Sequence, residues 1–402
     1  MKKEVISRTE DPRNVLTKIL AQYPAYFDSV LRHMDELNLQ IIYTQIDRKE
    51  KGRIAFRDYY FNVSDSQYFY PASTVKFPIA ALALQKLNEL KIAGLDRNST
   101  MITGAEGNIQ TAVETDSTAE DLKPSIAQYI RKILLVSDND AFNRLYEFLG
   151  QEYINDNLHK MGYPAEQIIH RLNISLPEQD NRHTNPVKFY DKTGKLLYEK
   201  PAQVSQLVYA QRNSKIGKGY MKGDSVVNEP MDFSKKNRQL LKDLHNMIRS
   251  VMFPQAVPPS QRFKLTDDDY TFLRRYMSMV PRESAYPSYD STYHDNFVKF
   301  LFYGGGNVPI DPTIRIFNKP GDAYGFLIDA TYIADFKNNI EFMLSAVIYC
   351  NSDGILNDDK YDYETVGLPF MKHLGQVIHD YELKRKSELI PDLSTFRYNY
   401  SK

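Results

Sequence analysis

Tryptophan is absent from the 402-residue chain, and cysteine occurs once, at Cys350. A single thiol can form neither an internal disulfide nor a thiolate metal cluster. It closes the apolar run Phe342-Met343-Leu344-Ser345-Ala346-Val347-Ile348-Tyr349-Cys350, which reads as a core strand, so a buried structural thiol is expected rather than a nucleophile. An excess of charge of either sign is missing too. Lys plus Arg and Asp plus Glu number 51 each, and the sequence pI is about 7.1. That balance argues against nucleic acid or an acidic membrane surface as the main partner. No apolar run is long enough to cross a bilayer. The histidines show neither His-Glu-x-x-His nor clustered spacing, so no metal and no cofactor is expected. Internal repeats and low-complexity segments are absent.

What is there suits a globular enzyme: 42% hydrophobic and 25% charged residues, over a length that holds one large domain or two interleaved ones. The 29 tyrosines and 21 phenylalanines point to no particular chemistry. Met1-Lys2-Lys3 has the basic character of a signal-peptide start, but polar Ser7-Arg8-Thr9-Glu10-Asp11 stands where an apolar stretch should follow. Residues alone leave two locations open, the cytoplasm or export with loss of a signal.

Strand patterns fall at both ends of the chain. Residues 12–36 read as a helix, 39–47 and 53–61 as a hairpin, and 313–319, 324–335 and 340–350 as three later strands, before a last helix over 364–383. From about 91 to 250 the chain reads as mostly helical, with an inserted hairpin at 188–198 and a polar excursion over 199–233. Helices are also expected over 237–252 and 266–279. Gly304-Gly305-Gly306 is followed by Asn307-Val308-Pro309 and not by Gly-Lys-Ser/Thr, so it reads as a flexible link rather than a phosphate cradle.

The stretch around which the chemistry gathers is Phe69-Tyr70-Pro71-Ala72-Ser73-Thr74-Val75-Lys76. Pro71 stops regular structure, and Ile79, Ala80, Leu82, Ala83, Leu87 and Leu90 then recur at a helical period. Ser73 is expected in the first turn of that buried helix, with Lys76 three residues on and on the same face. A neutral lysine amine in a dry pocket can take the proton of a serine hydroxyl and make it a nucleophile.

Two further segments complete the pattern. Ser137-Asp138-Asn139 lies between helical stretches at 124–135 and 141–149; alone it is an ordinary capping turn. Of four Lys-x-Gly triplets, those at Lys160 and Lys215 have no strand to sit on. Lys192-Thr193-Gly194 occupies a hairpin turn. Lys319-Pro320-Gly321 ends one strand directly before the next, and is the one chosen.

Taken together, in this order and on these elements, the three segments resemble the serine β-lactamase and penicillin-binding protein superfamily, most closely class A β-lactamases. The resemblance runs from about Leu39 to Leu383. It implies an α/β (α+β) fold in which an antiparallel sheet flanked by helices carries an inserted helical domain. The expected division is residues 1–75 with 255–402 for the sheet and 76–254 for the helices, with an insertion at about 187–233. The implied roles are Ser73 as nucleophile, Lys76 as base, and Ser137 as proton shuttle to the leaving atom. Asn139 would bind Lys76 and the substrate amide, Lys319 would supply positive charge, and Gly321-Asp322 with Ser73 would form a backbone oxyanion hole.

Two departures bear on activity. The residue after Lys319 is proline, without the hydroxyl the family usually carries there, and Asp322 puts an anion where a β-lactam carboxylate would lie. At about 4 Å, like charges in a partly screened site repel by roughly 4 kcal/mol. In the loop 171–186, where class A enzymes hold a water-activating glutamate, Asn173 stands at the corresponding place, and an amide is no general base. Glu178 either reaches inward or is a solvated loop acid. The resemblance thus implies a serine hydrolase that forms an acyl-enzyme on a β-lactam or a related amide or ester. Alternatives are acyl transfer of transpeptidase or esterase type on a peptidoglycan-like or small-molecule substrate, and a catalytically weak penicillin-binding-type protein. It also implies a periplasmic or exported location. The oligomeric state is not encoded in any of these features.

Overall fold

The structure, a computed structural model, describes residues 14–106 and 110–400. The basic start Met1-Lys2-Lys3 and the polar run after it lie outside the described residues.

Strands from both ends of the chain meet in one antiparallel sheet. In chain order the strands used here are β1 (Gln40–Arg48), β2 (Ile54–Phe61), β3 (Thr100–Thr103), β4 (Val187–Tyr190), β5 (Leu196–Lys200), β6 (Ile314–Asn318), β7 (Gly321–Ala323), β8 (Phe326–Asp335) and β9 (Ile340–Tyr349). The large sheet runs β6-β8-β9-β1-β2, with β7 also pairing with β8. All ten residues of β8 are buried, so the strand is covered on both faces.

The helices are α1 (Val15–Ala21), α2 (Pro24–Arg32), α3 (Lys76–Leu90), α4 (Ile126–Val136), α5 (Asn139–Leu149), α6 (Gln151–Lys160), α7 (Leu241–Met252), α8 (Asp267–Ser278) and α9 (Leu368–Lys384). On one face of the sheet, Leu16, Phe27, Leu374 and Ile378 from α1, α2 and α9 pack against Ile41, Tyr43 and Leu344. On the other, Met247, Val251 and Leu273 from α7 and α8 meet Ile42, Phe317 and Tyr332 in a core continuous with α3–α6. Side-chain caps set several helix starts: Ser125 accepts from Gln128 N ahead of α4, Asp138 accepts from Ala141 N ahead of α5, and Thr266 with Asp269 forms a capping box on α8.

The architecture is the mixed one expected, an antiparallel sheet flanked by helices with further helices drawn from the middle of the chain. Three local expectations change. The helix expected over 12–36 breaks in two at Pro24, which has no N–H to continue α1 and instead opens α2. The hairpin β4–β5 gains β3 as a third strand, too short to show a period in sequence. The polar excursion contains a small hairpin, Gly219–Lys222 with Ser225–Val227, and its first strand pairs in parallel with Ile355–Leu356. Cys350 is buried, and that burial pushes its thiol up to about 12.

A buried ion pair closes the loop that follows α6. Arg171 and Glu147 are both fully buried; Glu147 on α5 receives the Arg171 guanidinium, and its other oxygen accepts from Asn185 N. Arg171 also donates to the carbonyls of Asp180 at 3.1 Å and His183 at 2.7 Å. One carboxylate thus ties both ends of the loop to α5. Removing one partner of such a pair strands a buried charge, at a cost of about 3–5 kcal/mol. Glu147→Gln should lower the unfolding free energy by about that much in urea titration, whereas a loss under about 1 kcal/mol would show that the pair does not hold the loop.

Candidate active site

Ser73 sits in a 3-10 turn, Ala72–Val75, directly ahead of α3. The α-helix itself begins at Lys76, one turn later than the sequence suggests. Ala72 is the reason: its φ of 49° lies in the left-handed region, unusual for a residue with a Cβ. Such strain costs on the order of 1–3 kcal/mol and persists only where the surroundings impose it. Here they do. Thr74 Oγ1 lies 2.5 Å from Pro71 O and 2.8 Å from Gln239 Oε1. Gln239 Nε2 donates to the buried Glu166 carboxyl, which also accepts from Leu240 N. Burial first, and then the nearby Asp243, push the Glu166 carboxyl well above its ordinary range. Gln239 and Glu166 were invisible in the sequence, since neither belongs to a motif and both lie over ninety residues from Ser73.

Lys76 is buried, and its Nζ stands 2.9 Å from Ser73 Oγ, 3.1 Å from Ser137 Oγ and 2.7 Å from Asn139 Oδ1. It also donates to the Ser137 carbonyl. The two oxygens that can only accept, Asn139 Oδ1 and Ser137 O, use both N–H groups of a neutral amine. Its lone pair is then left for the hydroxyl proton of Ser73. Burial, and next the Lys319 ammonium, hold Lys76 well below the ordinary lysine range.

Ser137 caps α4 in the left-handed conformation, φ 60°, and this turn aims its hydroxyl between the two amines. Lys319 Nζ lies 2.9 Å from Ser137 Oγ and donates to Pro320 O at 2.6 Å. Burial lowers Lys319 to about 7, against the pull of Asp322 and Asp329. An unbroken chain of contacts therefore runs from Ser73 through Lys76 and Ser137 to Lys319, its longest single step joining residues 182 apart in sequence.

The strand register explains how proline fits beside Lys319. β6 and β7 pair with β8 in one continuous register, Asn318 opposite Thr331 and Gly321 opposite Ile328, with Lys319 N donating to Ala330 O between them. The turn at Tyr324-Gly325, φ 54° and 82°, makes a two-residue hairpin closed by Ala323 and Phe326. Hydrogen-bonded and open pairs then alternate, so 320 and 322 are open positions on an edge strand. Proline there costs the sheet no hydrogen bond. The N–H of Asp322 likewise points off the free edge. Gly321 must be glycine: a Cβ would come within 2.7 Å of Ser73 N and 2.9 Å of Thr74 N.

The remaining expected residues lie apart from this chain of contacts. Asn173, φ 56°, exposes its side chain, and it is Leu172 that is tied to α5, through Asn143. Glu178 pairs with Lys235 and Arg182, each at 2.9 Å, which holds its carboxyl below the ordinary range. Among the described residues, no group of three or more His, Cys, Asp or Glu is placed to hold a metal ion.

Comparison with known proteins follows the same lines. A model of the β-lactamase enzyme family matches residues 27–216. Over those residues, somewhat under half of the chain, the sequence is similar to that family. The match spans the Ser73 turn, Ser137-Asp138-Asn139 and the loop closed by Arg171, and stops before Lys319. No curated protein matches. Among solved structures, the chain is similar to a β-lactamase from Francisella tularensis at 14% identity, covering 91% of this chain and 99% of that one with a TM-score of 0.49. A β-lactamase from Chitinophaga pinensis gives 10% identity, 91% and 97% coverage and a TM-score of 0.48. A mutant of the penicillin-binding protein PBP-A, in acyl-enzyme complex with penicillin G, gives 16%, 91% and 97%, and 0.47.

The lowered lysine has a consequence for stability. Lys319 titrates at about 7 in the folded protein, against an ordinary 10.5. Between those values the unfolded chain binds the extra proton, so this group makes stability rise with pH across that window and contributes no slope below it. Lys319→Met should flatten the rise between pH 7 and 9 by up to about 1.4 kcal/mol per pH unit in paired urea titrations. An unchanged slope would mean that Lys319 stays fully charged.

Proposed function

We propose that the protein is a serine acyl-transfer enzyme of the β-lactamase type, which attacks an amide or ester carbonyl through Ser73. The observation that carries this reading is the continuous contact chain from Ser73 Oγ through Lys76 Nζ and Ser137 Oγ to Lys319 Nζ. Lys76, neutral in its dry site, takes the Ser73 proton as the hydroxyl oxygen bonds to the carbonyl carbon. The oxyanion that forms is received by the N–H groups of Ser73 and Asp322. Losing one such donor typically costs about 2.7–4 kcal/mol of transition-state stabilisation. Ser137 passes a proton to the leaving nitrogen or oxygen, with Lys319 beside it keeping Lys76 from recapturing that proton. Asn139 orients Lys76 and offers its amide to the substrate.

The site is better equipped to form an acyl-enzyme than to release it. Asn173 is an exposed amide, and Glu178 is committed to Lys235 and Arg182. With no other carboxylate contacting Ser73 or Lys76 among the described residues, water attack on the ester lacks a carboxylate base. We therefore favour slow turnover, on β-lactams or on related esters and amides, with transpeptidase- or esterase-type acyl transfer as the same chemistry given a different acceptor. We place the cleft between the sheet carrying Lys319 and the helices carrying Lys76 and Ser137, as the division at residues 75 and 255 implies. Helix α7, though inside the middle segment, lies on the sheet. No described helix is long and apolar enough to cross a membrane, and an exported location follows from the family reading.

A reporter β-lactam and a fluorophosphonate, each followed by intact mass and product release, test this directly. The expected result is a covalent adduct at Ser73 from both reagents, with the β-lactam adduct persisting after free reagent is removed. Ser73→Ala should abolish both adducts. Labelling that survives the substitution would move the nucleophile elsewhere, and rapid product release would overturn slow deacylation.

A further inference from the structure

A cavity of about 280 Å³ opens beside the contact chain, and Ser137, Pro320 and Asp322 form part of its wall. Since Ser137 is the residue assigned to protonate the leaving atom, this cavity lies on the leaving-group side of the scissile bond. Its floor and sides are apolar and aromatic, including Phe297, Leu327 and Tyr363. Two carboxylates face it, Asp322 and Glu364, and both side chains are exposed. Neither makes a hydrogen bond or ion pair through its side chain with another described residue. No lysine or arginine lines the cavity, and His294 is the one basic side chain in its wall. The Lys319 ammonium stands behind the wall, bonded to Ser137 Oγ and Pro320 O, and acts on Asp322 from that side.

We infer that this cavity is a leaving-group subsite that takes a positively charged alcohol, thiol or amine and disfavours a carboxylate, an assignment that rests on the acyl-transfer reading above. Two carboxylates without a side-chain partner, set among aromatic rings, carry it. The helical run that opens at Tyr363 and leads into α9 contributes about half a positive charge, less than the two carboxylates carry. An onium group entering here meets Asp322 and Glu364 and shares the cavity with Phe297 and Tyr363, whose rings attract cations. A carboxylate would have to be desolvated against both acids with no cation to receive it. Attack by Ser73 transfers the acyl group to its oxygen, breaks the bond to the leaving atom, and returns the Ser73 proton to that atom by way of Lys76 and Ser137. Atoms and charge balance without a further reactant.

Three phenylacetyl thioesters separate the possibilities, with thiocholine, 3,3-dimethylbutanethiol and 3-mercaptopropanoate as leaving groups. Thiol release is followed with a disulfide reagent; the one cysteine of the chain is buried and does not interfere. Expected acylation rates fall in the order thiocholine, neutral thioester, carboxylate, with at least about tenfold between the first and last at low salt and less at high salt. Asp322→Asn should shrink that ratio about tenfold, and Glu364→Gln should shrink it to a lesser degree. Equal rates, a faster carboxylate or neutral substrate, or a ratio untouched by both substitutions would overturn the subsite. Fluorophosphonate labelling of Ser73 in the same samples keeps the two readings distinct. A labelled protein without charge preference refutes the subsite alone, and an unlabelled one refutes the nucleophile.

Discussion

Everything in the active site depends on keeping one amine out of water. Lys76 lies at the foot of a buried helix with four polar neighbours and no carboxylate paired to it, beside a second buried lysine. A charged ammonium in such a place is penalised both by lost hydration and by its neighbour. The neutral form is thereby favoured, and the hydroxyls of Ser73 and Ser137 are the partners left to it. The fold is arranged around that constraint. The sheet delivers Lys319, the α4–α5 joint delivers Ser137 and Asn139, and the strained turn at Ala72 brings Ser73 over the amine.

Much of this was legible before any coordinates. Ser73 and Lys76 announce themselves because proline, a capping serine and an apolar helix follow one another within a few residues, and such local signals survive folding. Ser137-Asp138-Asn139 reads as a joint between helices and is one. Strands such as β8 and β9 are visible because burial makes them mostly apolar, with few polar residues between. Choosing Lys319 over Lys192 required only that the triplet sit at a strand end, and the register bears the strand out.

What escaped the sequence shares a cause. Gln239 and Glu166 support the nucleophile turn through side-chain hydrogen bonds across the fold, and such contacts leave no periodicity. The same holds for Tyr289, Tyr293 and Phe297, which pack in succession, tilted and then edge-on, with ring centroids 5.1 Å apart. The break at Pro24 was legible in principle, but a continuous helical period across it hid the boundary. Pro320 looked like damage to the third motif. Its tolerance depends on which strand positions carry ladder hydrogen bonds, and that is a property of the hairpin turn four residues on.

The central claim, a neutral Lys76 poised on Ser73, is open to direct observation. With lysines carrying 13C at Cε, and Lys76→Met used to assign the resonance, the chemical shift can be followed from pH 5 to 11. The account requires Lys76 to remain deprotonated at pH 7 and to titrate far below an ordinary lysine. A Lys76 that stays charged until about pH 10, as a solvated lysine does, would contradict it.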